Sequence, residues 1–318
     1  MNSRKTAAER FADTLGQLQG SRGVARRLMA LTSDPEFDLR EVVNCLESDP
    51  ALAAKTLRVV NSSRYGLRHR VGSVRQAASL LGQKSLRLFA VSFSLMDGLT
   101  KGPAAPLAAG YGRRAVLMAS AAARLAKLQG GLAADEAYTA GLLADVGVLI
   151  FAQYQPKIYL PAYESCFHGP ELVLAERELF ETTHPELGAR FLARWGVPAP
   201  VVAAVTTHHA DPALELAAAI ADGELSEADS RTAAPLAAAL RAADLFAAAL
   251  ADSTPSRVRA AAAALKREFD VADARPLAEQ VLDDLGDAVD LFGIAATPTN
   301  AEAAVAAFSE PAEAAVAG

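Results

Sequence analysis

Five side chains suited to metal or phosphate chemistry lie between residues 145 and 244: Asp145, His184, His208, His209 and Asp244. Imidazole and carboxylate ligands suit a divalent transition metal, which can activate water for phosphoester hydrolysis. The same residues admit plainer roles. An aspartate in an apolar helix can be a hydrogen-bonded core group, and an adjacent histidine pair can end a helix, where it interacts favourably with the helix dipole. The other two histidines are His69 and His168. The two cysteines, Cys45 and Cys166, exclude a disulfide scaffold and a cysteine-rich zinc site, and no neighbouring motif marks either as a nucleophile. The chain has no phosphate-binding glycine loop of Walker or Rossmann type and no nucleophile elbow.

The elements that must position these groups read as helices. The 318 residues are 52% hydrophobic and 21% charged, so a sizeable core is available and a disordered chain is excluded. Alanine, the best helix former, dominates, and β-branched runs are scarce. Leu39, Val42, Val43 and Leu46 follow helical spacing behind a capping-box-like Asp38 and Glu41. Pro50 opens a helix that stops near Asn61. Ser73 caps a short helix ending at Gly82, and residues 83–97 form another. After a loop at 98–106, an alanine-rich helix runs to Gly130-Gly131. A core helix, apolar on nearly all sides, is expected from Asp135 through Asp145 to about Phe151. Helices follow at 170–180, after the Thr183 cap, at 200–209, and at 235–251, 255–268 and 275–292. Residues 222–235 read as an acidic loop. The fold class is all-α: an N-terminal helical part (1–102), a helical core (103–212), a C-terminal helical extension (213–294) and a tail (295–318) expected to be disordered. The N-terminus lacks the apolar core of a secretory signal, no uncharged apolar stretch approaches 20 residues, and neither metal nor other cofactor is expected; the reading is a cytoplasmic protein without membrane insertion.

Within this frame, LESDPALAAKTLRVVNSSRYGL at 46–67 resembles the signature of the HDOD domain, whose core pattern is DPxLxxxxLrxxNS. SVRQAASLLGQKSLRLFAVSFSL at 73–95, AYTAGLLADVGVLIF and HPELGARFLARWGVPAPVVAAVTTHH continue the likeness in order, over roughly residues 15–212. The resemblance implies an all-α domain related to the HD and HD-GYP phosphohydrolases, used in bacterial signalling and usually without hydrolase activity. Carried across one by one, the HD-type ligand positions fall on Arg114, Ala144, Asp145, His184, His208, His209 and Asp244. Two imidazoles are thus replaced. Alanine offers no lone pair, and a guanidinium only donates and repels a cation. The expectation is therefore that no catalytic di-metal centre forms, and that Arg114 pairs with Asp145 or Asp244 in a vestigial cleft.

The net charge of −6 conceals a split. Residues 1–134 hold 20 Lys/Arg against 9 Asp/Glu, and residues 135–318 hold 11 against 28. One reading is that the halves pack together and their fields partly cancel; the other is a basic face for an anionic partner. Arg64, Arg68 and Arg70, with Lys84 and Arg87 one turn apart on the next helical segment, are the candidate partner or anion-binding surface. The segment 61–70 equally reads as a helix termination in which Asn61 satisfies backbone groups. Functionally, the chain reads first as a non-catalytic regulatory module that binds other signalling proteins. A metal-dependent phosphodiesterase of nucleotides or cyclic dinucleotides with altered ligands is the alternative. A nucleotide sensor, with Arg113 or Arg114 on phosphate, is a third reading, and nucleic-acid binding is the weakest.

Overall fold

The computed structural model describes residues 27–28, 31, 37–62, 65, 67–166, 169–223, 225–292 and 301–309. Arg64 and His168 lie outside the described residues, as do the side chains of Lys84 and Arg87. Among the described residues the regular structure is helical throughout, with no strand.

Residues 27, 28 and 31 are helical, and the first helix with a described range is α1 (Leu39–Glu47), capped where the Asp38 carboxylate accepts from the Arg40 backbone N–H at 2.8 Å; α2 (Pro50–Val60) follows. The next element, α3, runs over Val74–Leu99 with Ser73 as its cap. Its single non-helical residue is Gly82, at φ +74°, so the two expected segments meet there across a kink within one element. A short 3₁₀ stretch, Gly102–Leu107, leads into α4 (Ala108–Gln129).

The expected core helix is two helices. The α5 element covers Ala134–Leu143 and α6 covers Val146–Tyr154, with Ala144 and Asp145 between them. No Gly or Pro marks this break, and all-round burial hides it from a periodicity reading. Then come α7 (Pro156–Ser165), α8 (Pro170–Phe180), α9 (His184–Arg194), α10 (Ala199–Thr207) and α11 (Pro212–Ala221). The α12 element begins at Glu227 and runs to Ala251, so the expected acidic loop at 222–235 is mostly helix. Ser226 caps the Asp229 N–H at 3.0 Å, and Glu227 and Asp229 sit in the first turn, where negative charge suits the helix dipole. The last long helices are α13 (Pro255–Phe269) and α14 (Arg275–Phe292). The expectation of a disordered tail fails for residues 301–309. They form α15 (Ala301–Ala306) and a 3₁₀ turn that bury Ala304 and Phe308, with Phe308 packed on Phe246 at 5.1 Å between ring centroids.

One hydrophobic core runs from Leu28 through Phe308. The α4 helix is its axis, packed against α5, α12 and α14. Small residues make this possible: a Cβ on Gly141 of α5 would lie 2.6 Å from the Ala119 Cα of α4, so the two backbones pass closer than any side chain permits. Arg124 of α4 binds Asp284 of α14 at 2.9 Å, so part of the split between basic and acidic halves is closed inside the molecule. Two helical stretches, Ala134–Tyr154 and Glu227–Ala251, are long and apolar enough to cross a membrane, and both are mostly buried in the interior. The first counts as one span only if the break at Ala144-Asp145 is ignored.

Candidate functional site: a buried arginine–carboxylate–histidine cluster

Arg114, Asp145, His184, His208, His209 and Asp244 come together in one place, delivered by α4, the α5–α6 junction, α9, the end of α10 and α12. Ala144 stands beside them, fully buried, with no polar side chain to contribute.

The α5–α6 break puts Asp145 at the mouth of α6 with φ −93° and ψ 14°, and its side chain does not cap that helix. Both carboxylate oxygens are therefore available to the cluster. Oδ2 accepts from Arg114 Nε at 2.7 Å, while Oδ1 faces His208 Nε2 at 3.2 Å and His184 Nε2 at 3.5 Å. Arg114 reaches on through Nη2 to Asp244 Oδ1. One guanidinium thus bridges two carboxylates, and the expected pairing with either aspartate is a pairing with both.

His184 is placed by a capping box at the start of α9, formed by Thr183 and Glu186. This start can approach α6 because Gly147 has no side chain: a Cβ there would lie 2.0 Å from the His184 carbonyl oxygen. Gly188, one turn into α9, does the same from the other side, 3.1 Å from Val146 Cγ1 for a Cβ built on it. The glycine of the HPELG segment thus sits in tight contact at this helix crossing.

Glu176 is a cluster member that the sequence reading missed. It lies on α8, 1% exposed, and its Oε2 accepts from both the His184 backbone N–H (2.7 Å) and His184 Nδ1 (2.8 Å). Tyr159 of α7 donates its hydroxyl to Glu176 Oε1 at 2.6 Å. The available signal was the i, i+4 relation of Glu176 to Leu172, which puts it on the buried face of that amphipathic helix.

The three cluster histidines share a pattern. His184 Nδ1 faces Glu176, His209 Nδ1 faces Asp244 Oδ2 at 3.0 Å, and His208 Nδ1 faces the Val205 carbonyl at 2.6 Å. Each of these partners accepts only, so each Nδ1 carries the proton. All three Nε2 atoms then turn toward one another and toward Asp145 Oδ1, with His184 Nε2 and His209 Nε2 at 3.0 Å.

The charges are interdependent. Burial alone would raise the Asp145 carboxyl, but Arg114, with hydrogen bonds from His184 and His208, holds it well below the usual carboxylate range. Asp244 is likewise held low against the effect of burial, by His209 and Arg114. Burial pushes His184 down, yet Glu176 and Asp145 outweigh it and hold the imidazole at about 9. Burial and the neighbouring His208 push His209 down to about 4 despite Asp244. The opposite directions of His184 and His209 let the first donate to the second across their 3.0 Å contact in a metal-free protein.

A cleft beside Asp244 is lined by Gly169, Pro170, Glu171, Asp252, Ser256 and Arg257, among others. Its arginine pairs with Asp252 at 3.2 Å, and its remaining formal charges, on Glu171 and Asp244, are negative.

The proposed partner surface is separate. Arg68, His69 and Arg70 are exposed. The stretch that carries them is closed by Asn61, whose amide donates to Val71 O at 2.9 Å and accepts from Val71 N at 2.7 Å. Asn61 also donates to Leu57 O at 2.8 Å, so it ends α2 and pins the loop at once. Tyr65 ties the same loop to Asp135 at the start of α5 at 2.8 Å.

Comparison with known proteins finds that the HDOD domain model matches residues 20–211. A solved structure of a candidate phosphohydrolase from Shewanella amazonensis SB2B is similar with a TM-score of 0.65 and 22% identity, covering 91% of this chain and 98% of that one. A candidate signal transduction protein from Marinobacter aquaeolei VT8 is similar with a TM-score of 0.55 and 22% identity, over 98% of this chain and 63% of that one. A curated relative from Treponema pallidum (strain Nichols), described as an uncharacterised protein, is 29% identical over 182 residues, 55% of this chain. The chain spans about a third of that relative's length, 34%.

Proposed function

Because the chain belongs to the HDOD domain family, we propose that it is a non-catalytic regulatory protein that acts by binding other signalling proteins. The observation that carries this reading is the state of Arg114. A hydrolase of phosphate esters needs a cationic group free to take the phosphate. In this cluster the one guanidinium is buried and bonded to both Asp145 and Asp244. Freeing it for a substrate would leave two carboxylates uncompensated in the interior, which costs several kcal/mol per ion. The exposed Arg68 and Arg70 on a loop pinned by Asn61 form the surface assigned to an acidic face on the partner.

Affinity capture from the native bacterial lysate, with the full chain and its Arg68→Glu/Arg70→Glu variant, tests the reading. Loss of specific partners with the variant, and weaker capture at high salt, are expected. Identical capture by both proteins at every salt concentration overturns the assignment of this surface.

A second reading, a metal-dependent phosphodiesterase of nucleotides or cyclic dinucleotides, is favoured by the convergence of three Nε2 atoms on Asp145. Turnover of a cyclic dinucleotide that disappears in Asp145→Asn would establish it and displace the first.

A further inference from the structure

We infer that the groove between α10 and α11, together with the exposed face of α11, is a docking site for an amphipathic helix of a partner protein whose apolar stripe is flanked by lysines or arginines. Three observations carry it.

The first is α11 itself. Its sequence, PALELAAAIA, holds one charged residue, Glu215. A helix apolar on nearly all sides normally lies inside a protein. Here Leu216 alone of the ten residues is buried. Leu214 is 71% exposed, the most exposed large apolar side chain among the described residues. It stands one turn before Ala218, which is also exposed and lines the groove, so the two continue one stripe along the helix.

The second is shape and polarity. The groove beside this stripe has a volume of about 530 Å³ and is lined by Val197, Val202, Ala203, Leu216 and Leu225, among others. Two threonine hydroxyls border it, and both already donate within α10: Thr206 to the Val202 carbonyl at 2.9 Å and Thr207 to the Ala203 carbonyl at 3.2 Å. Walls of this kind suit apolar side chains, and the small alanines let a second helix lie close, as in helix-in-groove recognition.

The third is charge. The formal charges on the groove are Glu215 and Asp222, both exposed and both negative. Neither carboxylate pairs with a cation among the described residues. They stand at i and i+7, two turns apart on one face of α11, so basic residues two turns apart on a partner helix meet both. This selects the occupant. A second copy docked through the same face would set these acids against themselves, and an anionic membrane would be repelled by them.

The α11 wall of the groove also lies beyond residue 211, where the match to the HDOD domain ends. The inference does not rest on the partner-capture reading. It assigns another surface and the opposite partner charge, and it uses neither Arg68 nor Arg70.

The test is titration of the full chain with two dye-labelled synthetic helices of about 14 residues, four turns long. Both carry the same leucine stripe; one is flanked by lysines and the other by glutamates. The lysine helix should bind saturably, one per chain, and about tenfold or more tighter than the glutamate helix at low salt. Glu215→Lys with Asp222→Lys should reverse that preference, which indiscriminate apolar adhesion would not do. Circular dichroism shows whether the double variant folds; if it does not, Leu214→Lys carries the test and should weaken the lysine helix about tenfold. Equal binding of the two helices, binding of neither, an unreversed preference in the folded double variant, or full-strength binding to folded Leu214→Lys would each overturn the inference. So would dimers seen by light scattering, or sedimentation with phosphatidylcholine–phosphatidylglycerol vesicles, that disappear in Leu214→Lys: the first assigns the face to a second copy, the other to a membrane.

Discussion

Arg114 and Arg70 are the same residue type in opposite circumstances. Arg114 is 8% exposed and bonded to two aspartates from two other segments, whereas Arg70 lies exposed on the loop that Asn61 closes. The histidines repeat the contrast: His184 is enclosed by Glu176, Asp145 and His209, and His69 faces water. Inside, each charge exists because of its partners, and removing one strands the others. On the loop, water already solvates each charge, so its loss disturbs recognition more than folding.

The sharpest way to break this comparison is Arg114→Ala. It leaves Asp145 and Asp244 buried without their common cation, and a loss of about 3–5 kcal/mol in urea-denaturation stability is expected. A loss below about 1 kcal/mol would mean that the two carboxylates are satisfied by the histidines alone.

Next in size is Gly147→Ala. The new methyl would meet the His184 carbonyl, α6 and α9 must separate, and overpacking of this kind costs about 1–3 kcal/mol. The same substitution at the exposed Gly72, where a Cβ meets nothing within 4 Å, should leave the melting temperature nearly unchanged.

The pH dependence of the metal-free protein sharpens the contrast further. His184, raised to about 9, contributes stability that is full below the unfolded value near 6.5 and fades as pH rises through about 9. His209, lowered to about 4, resists protonation in the folded state, so stability also falls as pH drops from about 6.5 toward 4. Asp145 and Asp244, held low, add their loss below about pH 4. Thermal melts should therefore peak near neutrality. A melting temperature that climbs steadily from pH 6.5 to 9 would contradict the enclosure of His184 by Glu176.

The smallest effect is expected on the loop. Arg68→Glu with Arg70→Glu should change stability by no more than about 0.5 kcal/mol, read by the same urea titration.

Much of this was legible in the sequence, for identifiable reasons. The helices at 39–47, 170–180 and 184–194 follow from apolar spacing and from caps such as Asp38 and Thr183. The ion pairing of Arg114 follows from putting a permanent cation among aspartates. The break between α5 and α6 was illegible because Leu142, Leu143, Val146 and Val148 are buried on both sides of it, so no polar face interrupts the pattern. Glu176 was missed because a glutamate on an amphipathic helix usually faces solvent; only the position of α8 against α7 and α9 turns it inward. The start of α12 is hidden because its acids read equally as loop composition and as first-turn charges. The helix at 301–306 depends on Phe308 finding Phe246, a contact between residues 62 positions apart.

The similarity to the HDOD domain ends at residue 211, yet the anion that completes the grip on Arg114 and orients His209 is Asp244, on α12. The boundary of likeness and the boundary of electrical neutrality are therefore different lines on this chain. A chain cut after residue 211 would keep the histidines and the arginine without this counterweight, so the helices beyond the matched domain are what neutralise its buried centre.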